Sequence, residues 1–361
     1  MRVFQNIGLY PAYVPRIGKL WTAGTGFEVM RRLLIEDRFG GVHYLKPAID
    51  GDPDCFFAVG DNEQLQRQWA GEAGMSGTPT LDDILLAQIE AHATDVFYNL
   101  DPIRYGNAFL KRLPGCVKRT IAWRAAPSGN AQFLDHDLVV NNYPSLAEQY
   151  RAKGARTALF FPGHDPAMDA FAASEDRPID VLFIGGYTRH HLQRGKALEA
   201  VSRLVDRHNV VFNLDISRAT RVAETPLGLV GPLKKLRRPA SIRKVSESPL
   251  FGLDMYRQIG RAKVVINGKV DIAGADRGNM RVWETLGCGA ALVTDTGNYP
   301  EGMAAGRDFV VHETADQIVA SVEGLLADEG NRRVIARNGR DMISTIFSKE
   351  AQWQRFVELC A

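Results

Sequence analysis

Residues 276–301 read Asp-Arg-Gly-Asn-Met-Arg-Val-Trp-Glu-Thr-Leu-Gly-Cys-Gly-Ala-Ala-Leu-Val-Thr-Asp-Thr-Gly-Asn-Tyr-Pro-Glu, and they leave the chain little choice of local structure. Asn279 is an N-cap residue type, and the spacing after it predicts a helix over 280–286. Gly287 and Gly289 are expected to end that helix, because glycine tolerates the left-handed conformation of a helix C-terminus. The apolar run 290–293 then reads as a strand buried on both faces. In open parallel sheets, ligands gather at the carboxyl ends of strands and against helix N-termini. The stretch therefore places two acids, free backbone N–H groups and a glycine-containing loop around one crevice.

The rest of the chain repeats the same alternation. Strands are expected near 2–9, 42–45, 55–59, 95–99, 119–123, 138–141 and 157–161, with helices over 27–37 and 81–92 and a third capped by Ser145. The pattern breaks at Pro162-Gly163-His164-Asp165-Pro166 and restarts with a strand at 180–184, a helix at 195–207 and a strand at 210–214. Residues 217–249 are rich in proline, glycine and basic residues and predict no regular structure. A helix near 253–261 and a strand at 263–267 lead into the opening stretch. This reads as α/β with parallel sheets in both halves. A length of 361 residues makes two domains the natural division. The expected boundaries are an N-terminal domain over 1–165, a linker over 166–178, a C-terminal domain over 179–346 and a final helix over 347–361.

Charge and composition exclude some functions. A net charge of +2, with no basic-aromatic repeat, gives no reason to expect nucleic acid. The apolar runs are strand-sized, and the N-terminus turns polar at once, so neither a membrane span nor a signal peptide is expected. The four cysteines have no metal or redox spacing. The expected location is cytoplasmic, with peripheral contact at the inner membrane face left open.

Several familiar motifs fail. Gly24-Thr25-Gly26 has Val29 where a dinucleotide fingerprint needs its third glycine, and Gly195-Lys196 lacks the upstream glycine of a phosphate loop. Asp50-Gly-Asp52-Pro-Asp54 has Cys55 where a calcium loop wants glycine, and reads as a solvated acidic turn. The informative pair is Asp276 and Glu284, with seven residues between them and Glu284 about one turn into the helix. There its carboxylate can accept from both hydroxyls of a ribose. The N–H groups near Asn279 and Met280, together with Arg281, suit a diphosphate. Taken alone, such a pair is equally explained by the helix dipole favouring an early acid.

The run Trp-Glu-Thr-Leu-Gly-Cys-Gly-Ala-Ala-Leu-Val-Thr-Asp-Thr-Gly-Asn-Tyr-Pro-Glu resembles the C-terminal half of the GT-B glycosyltransferases. Within them it is similar to the retaining group with a Glu-x7-Glu motif, in its spore-maturation-protein-like branch, where Asn-x-Arg-x-x-Glu precedes a Gly-Cys-Gly turn. The resemblance spans about 253–346. It implies two Rossmann-like domains facing across a cleft, and transfer of a sugar from a nucleoside diphosphate sugar to an acceptor hydroxyl. No cofactor or metal is implied. Glu284 matches the motif's second glutamate, which holds the ribose. Asp276 replaces the first, which contacts the donor sugar, and is shorter by one methylene. Gly278, Asn279, Met280 and Arg281 are implied donor contacts, as are Thr296, Gly297 and Asn298 beside the sugar. Gly185 and Gly186 resemble the first loop of the nucleotide domain, followed by the basic candidates Arg189, Arg194 and Lys196. Gly24, Thr25 and Gly26 resemble the glycine loop of the N-terminal domain. Asp101, Asp135 and His136 are candidate bases should the reaction invert. The acceptor is left open as a glycan, a lipid-linked or a small molecule, with bacterial polysaccharide synthesis the family expectation. A sugar-nucleotide epimerase or hydrolase, or a non-catalytic nucleotide-sugar-binding subunit, fits the same residues.

Overall fold

The computed structural model describes residues 1–130, 132–187, 192–229, 231–268 and 272–361. It divides into two compact units. Unit 1 is Met1–Gly163 with Ile272–Asp276 and Phe347–Ala361, and unit 2 is His164–Asp271 with Arg277–Ile346. The stretch 166–178, read from sequence as a linker, lies in unit 2 and holds a short turn at Pro166–Met168 and a helix at Asp169–Ala172.

Unit 1 is built on six parallel strands, β1 (Val3–Ile7), β2 (Cys55–Val59), β3 (Val96–Asn99), β4 (Arg119–Trp123), β5 (Leu138–Asn141) and β6 (Thr157–Leu159). Their order is β2-β1-β3-β4-β5-β6. β1 is buried throughout although it contains Gln5 and Asn6. Gln5 is tolerated because its amide donates to His43 O at 2.9 Å and accepts from Leu45 N at 3.0 Å. The helices of eight or more residues in this unit are α1 (Phe27–Asp37), α2 (Glu63–Glu72), α3 (Leu81–Ala91) and α4 (Pro144–Ala152). A further one, at Lys349–Cys360, follows those of unit 2.

Unit 2 has β7 (Ile179–Gly186), β8 (Val210–Asp215), β9 (Ser246–Glu247), β10 (Ala262–Ile266), β11 (Ala291–Asp295) and β12 (Val310–His312), all parallel. The order β12-β11-β10-β7-β8-β9 reverses direction between β7 and β10. That is the doubly wound arrangement, whose ligands sit outside the carboxyl ends of the strands at the reversal. Its longer helices are α5 (Leu192–Ser202), α6 (Gly252–Gly260), α7 (Met280–Gly287), α8 (Ala315–Ala327) and α9 (Glu329–Ile346), and Lys349–Cys360 of unit 1 is α10. Val181, Phe183, Val264, Ile266, Ala291 and Val293 alternate into one core against α5 and α8. The apolar strand runs read from sequence are these strands.

Four local expectations are corrected. Residues 42–45 are not a strand: Gly41–His43 is a single tight turn leading to a short helix at Lys46–Asp50. Pro47 lacks the N–H a strand ladder needs and fits the first turn of that helix. Ser145 does not cap α4. Tyr143 holds the N-cap position and Pro144 begins the helix. Gly287 lies inside the last turn of α7 for reasons of space, since a Cβ there would sit 2.2 Å from Met168 Sδ, whereas Gly289 has the left-handed φ of +68°. Residues 217–249 are not irregular throughout. They form helices at Arg218–Ala223 and Ala240–Lys244, with Arg238 buried in a two-point pair with Glu224 at 2.6 and 2.9 Å.

Candidate functional site

The site builds up from the reversal between β7 and β10. Beyond β10 the chain turns polar at Asn267-Gly268, and Asn267 exchanges amide hydrogen bonds with Asn279 at 3.2 and 3.3 Å. Asn279 also donates to Gly268 O at 3.4 Å. With its side chain turned to the strand end, Asn279 occupies the N-cap position of α7 without capping it by side chain. The first N–H groups of the helix, on Met280 and Arg281, have no protein acceptor among the described residues. An uncapped helix start beside two strand ends offers the dipole and the free donors that suit an anion.

Arg194 supplies charge to the same place. Its guanidinium donates to Gly186 O at 3.4 Å, and a Cβ on Gly268 would lie 2.9 Å from its Cγ. The side chain therefore lies across the ends of β7 and β10. Gly278 enters the helix with φ of +121°, a conformation that favours glycine. The preceding Arg277 N–H donates to Asn298 O at 2.8 Å, which holds the loop Thr296–Gly297–Asn298 beside the helix start.

Glu284 is 2% exposed, and its Oε2 accepts from Arg281 at 2.6 Å. Burial pushes its carboxyl up from the usual range, Asp165 adds like charge, and Arg281 opposes both. Asp165 is itself fully buried and accepts from Ala167 N at 3.0 Å and Tyr256 Oη at 3.3 Å. Neither Asp165 nor Asn267 was singled out from sequence. Asn267-Gly268 carried a signal, a polar pair at the end of an apolar strand run, whereas Asp165 sits in the proline-rich break and carried none.

The other expected residues fall as follows. Asp276 belongs to unit 1 and Glu284 to unit 2. Asp276 Oδ2 accepts from Ser145 N at 2.7 Å, placing a carboxylate against the first turn of α4. Gly185 follows Ile184 near the end of β7, while Lys196 is exposed on α5 with no ion pair among the described residues. Arg189, like His190 and His191, lies outside the described residues. In unit 1, Gly24 has φ of +85° and Gly26 precedes α1, whose first N–H, on Phe27, donates to Glu72 Oε1 at 2.8 Å. Thr25 Oγ1 donates back to Thr22 O at 2.8 Å. A carboxylate of this chain thus already meets that helix start.

Unit 1 has its own reversal, between β1 and β3, and a polar group gathers there. Asn99 bridges Asn6, Tyr105 O and His136 at 2.9–3.3 Å. Burial lowers His136 to about 4, so the ring is neutral at pH 7. Burial raises both Asp101 and Asp61, and the charge of Asp101 adds to the shift of Asp61. Asp61 was missed from sequence, being one acid in a turn. Asp135 is exposed. Among the described residues no group of three or more histidine, cysteine or acidic side chains is placed to hold a metal, and no helix is long and apolar enough to cross a membrane.

Comparison with known proteins bears on the fold and on the class of enzyme. Residues 196–358, just under half of the chain, match the family model described as glycosyl transferase-like. Among solved structures, a glucose-nucleotide complex of Anabaena HepE, with UDP-glucose, is 11% identical over 99% of both chains, with a TM-score of 0.61. Sucrose-phosphate synthase from Thermosynechococcus elongatus is 14% identical over 99% of this chain and 98% of that one, with a TM-score of 0.55. A glycosyltransferase from Rickettsia africae is 12% identical over 100% and 97%, also at 0.55. No curated protein matches in sequence. The GT-B fold and the glycosyltransferase class of enzyme, both expected from the sequence, are borne out.

Proposed function

We propose that the protein transfers a sugar from a nucleoside diphosphate sugar to an acceptor hydroxyl, with the nucleotide held in the crevice of unit 2. The observation that carries this is Glu284, buried about one turn into a helix without a side-chain cap at the reversal of strand order. Its Oε1 has no hydrogen-bond partner among the described residues and is the acceptor for a ribose hydroxyl. The diphosphate is met by the N–H groups of Met280 and Arg281 and by Arg194, with Lys196 and Arg189 as further candidates. The loop Thr296–Gly297–Asn298 lies toward the sugar.

The chemistry follows from the charges. As the acceptor oxygen bonds to the anomeric carbon, the bond from that carbon to the phosphate oxygen breaks. Negative charge grows on the departing diphosphate, where fixed N–H dipoles and a guanidinium lower the barrier. In a retaining course, the one the Glu-x7-Glu resemblance favours, the leaving phosphate oxygen takes the acceptor's proton. Asp276, expected to contact the donor sugar, belongs to unit 1, where its Oδ2 accepts from Ser145 N, so the donor assignment rests on unit 2 alone. Glycoconjugate or polysaccharide synthesis is the setting we propose. Calorimetry with uridine, guanosine and thymidine diphosphates tests the reading, and binding of none of them would sink it.

Two further outcomes are expected. With the diphosphate neutralised by protein groups, EDTA is expected to leave the rate of transfer within about two-fold; abolition by EDTA and restoration by a divalent ion would transfer that role to a metal.

The second concerns pH. Burial first, then Asp165, raises Glu284, so its carboxylate is lost at a higher pH than an ordinary glutamate's. Donor affinity is expected to fall on acidification, starting above the ordinary glutamate range, measured with an intact sugar nucleotide, whose diphosphate does not titrate there. Glu284→Gln should flatten the profile. The effect on stability has the opposite sense. The folded protein holds this proton more tightly than the unfolded chain, so this one group disfavours folding as pH rises through that window.

A further inference from the structure

Unit 2 has a cavity of about 430 Å³ at the other end of its sheet. Its walls include Arg177, two residues before β7, Lys263, the second residue of β10, and Gly289, two residues before β11. These mark the amino ends of the parallel strands, whereas the crevice lies at their carboxyl ends. Helix α9 contributes Arg332, Arg333, Arg337 and Arg340. Against these six cations the lining holds two acids, Glu175 and Glu329.

The pairing inside the cavity leaves positive charge over. Lys263 is matched by Asp180 at 2.6 Å and Arg340 by Asp169 at 2.9 Å. Arg332 and Arg333 share Glu329, at 3.8 and 2.6 Å. Arg177 donates to three neutral carbonyls, Ala262 O at 2.9 Å, Cys288 O at 3.1 Å and Ala172 O at 3.3 Å. Arg337 has no ion pair among the described residues, and Arg340 Nε is buried without a hydrogen-bond acceptor. Arg333, Arg337 and Arg340 follow at helical spacing, so they form one row, and like charges at that spacing oppose the helix that carries them. A concave wall of one sign focuses the potential on whatever enters it.

We propose that this cavity is a second anion site, taking a small ligand that carries two or more phosphate charges. A volume of about 430 Å³ falls in the range of small-molecule pockets and exceeds what a lone phosphate fills. Guanidinium groups suit phosphate because their N–H donors match its oxygens two at a time. The site is independent of the donor crevice and stands whether or not the proposed transfer does.

The test is calorimetric titration of the full chain with inorganic pyrophosphate and, separately, with fructose 1,6-bisphosphate. Wild type is compared with Arg333→Gln/Arg337→Gln and with Arg194→Gln. Arg333 and Arg337 are exposed, so the double variant should fold normally, as circular dichroism will verify. We expect a site that weakens about ten-fold or more in the double variant, survives in Arg194→Gln, and weakens as salt rises. Preference for the bisphosphate would mark an organic ligand, and preference for pyrophosphate an inorganic one. Identical stoichiometry and affinity in wild type and double variant, for both probes, would overturn the proposal.

Discussion

Glu284→Gln is expected to weaken nucleoside diphosphate binding by roughly ten- to a hundred-fold while the protein stays folded. A hydrogen bond to a charged group contributes about 1.5–3 kcal/mol, and an amide oxygen recovers only part of that. Gln keeps the shape of Glu, and its carbonyl still accepts from Arg281, now 2.6 Å from Glu284 Oε2. Glu284→Ala should do more damage. It leaves Arg281, whose side chain is 18% exposed, without its counter-charge, and removing one member of a buried pair destabilises by about 3–5 kcal/mol. The pair of variants therefore separates binding from folding. Should Gln bind every nucleoside diphosphate as tightly as wild type, Glu284 has no ribose contact and the crevice assignment fails. A rise in KM at constant kcat would place the contact in the ground state as well as the transition state.

How much of this was legible in the residues differs from place to place. Helix α7 and β11 were, because cap chemistry, a glycine stop and an apolar run all agreed there, and Asn279 does stand at the N-cap position. The reason for Gly287 was not. Sequence alone cannot distinguish a glycine needed for its φ from one needed because Met168 lies against it. Residues 42–45 misled because Val, His, Tyr and Leu suit a strand by type, while Pro47 settles the matter from outside the run. Asp276 and Glu284 shared a motif spacing, yet Asp276 belongs with Ser145 in unit 1, and no spacing along the chain reports that. Asp61, Asp101 and His136 come from three separate loops or strand ends. Their grouping follows from strand order, which periodicity does not fix.

The basic cluster shows the same limit from another side. Lys234, Lys235, Arg237, Arg238, Arg243 and Lys244 are consecutive enough to read as a solvated loop. Lys234, Lys235 and Lys244 are exposed as that reading expects, whereas Arg238 is buried against Glu224 and Arg237 donates to Ala223 O and Thr225 O. The cations of the cavity are scattered from Arg177 to Arg340 in sequence and are therefore invisible as a run.

Lys349→Ala is expected to lower stability by about 2–5 kcal/mol, because a buried ammonium and the carbonyls around it depend on each other. Lys349 is 2% exposed and opens α10. Its ammonium donates to Gly41 O at 2.9 Å, Val42 O at 3.0 Å, Tyr44 O at 2.6 Å and Gln352 Oε1 at 3.0 Å. The position is electrostatically poor for a cation, since a helix N-terminus carries positive partial charge, so these carbonyls are what hold it. In the alanine variant Gly41 O and Val42 O retain donors from Tyr44 N and from Gln352 and Gly163, and Tyr44 O loses the ammonium at 2.6 Å. For a unit of this size the loss corresponds to a fall in Tm of roughly 5–15 °C. Lys349→Met refines the cause: it keeps most of the volume, so a comparable fall assigns the effect to the carbonyls, and a small one assigns it to packing. His43 gives a reading that folding does not. Burial first, and then the charge of Lys349, push His43 down to about 3, so removing the charge should raise its pKa in either variant, observed by NMR titration. An unchanged Tm in Lys349→Ala together with an unmoved His43 would show that the ammonium is not where the carbonyls of unit 1 hold it.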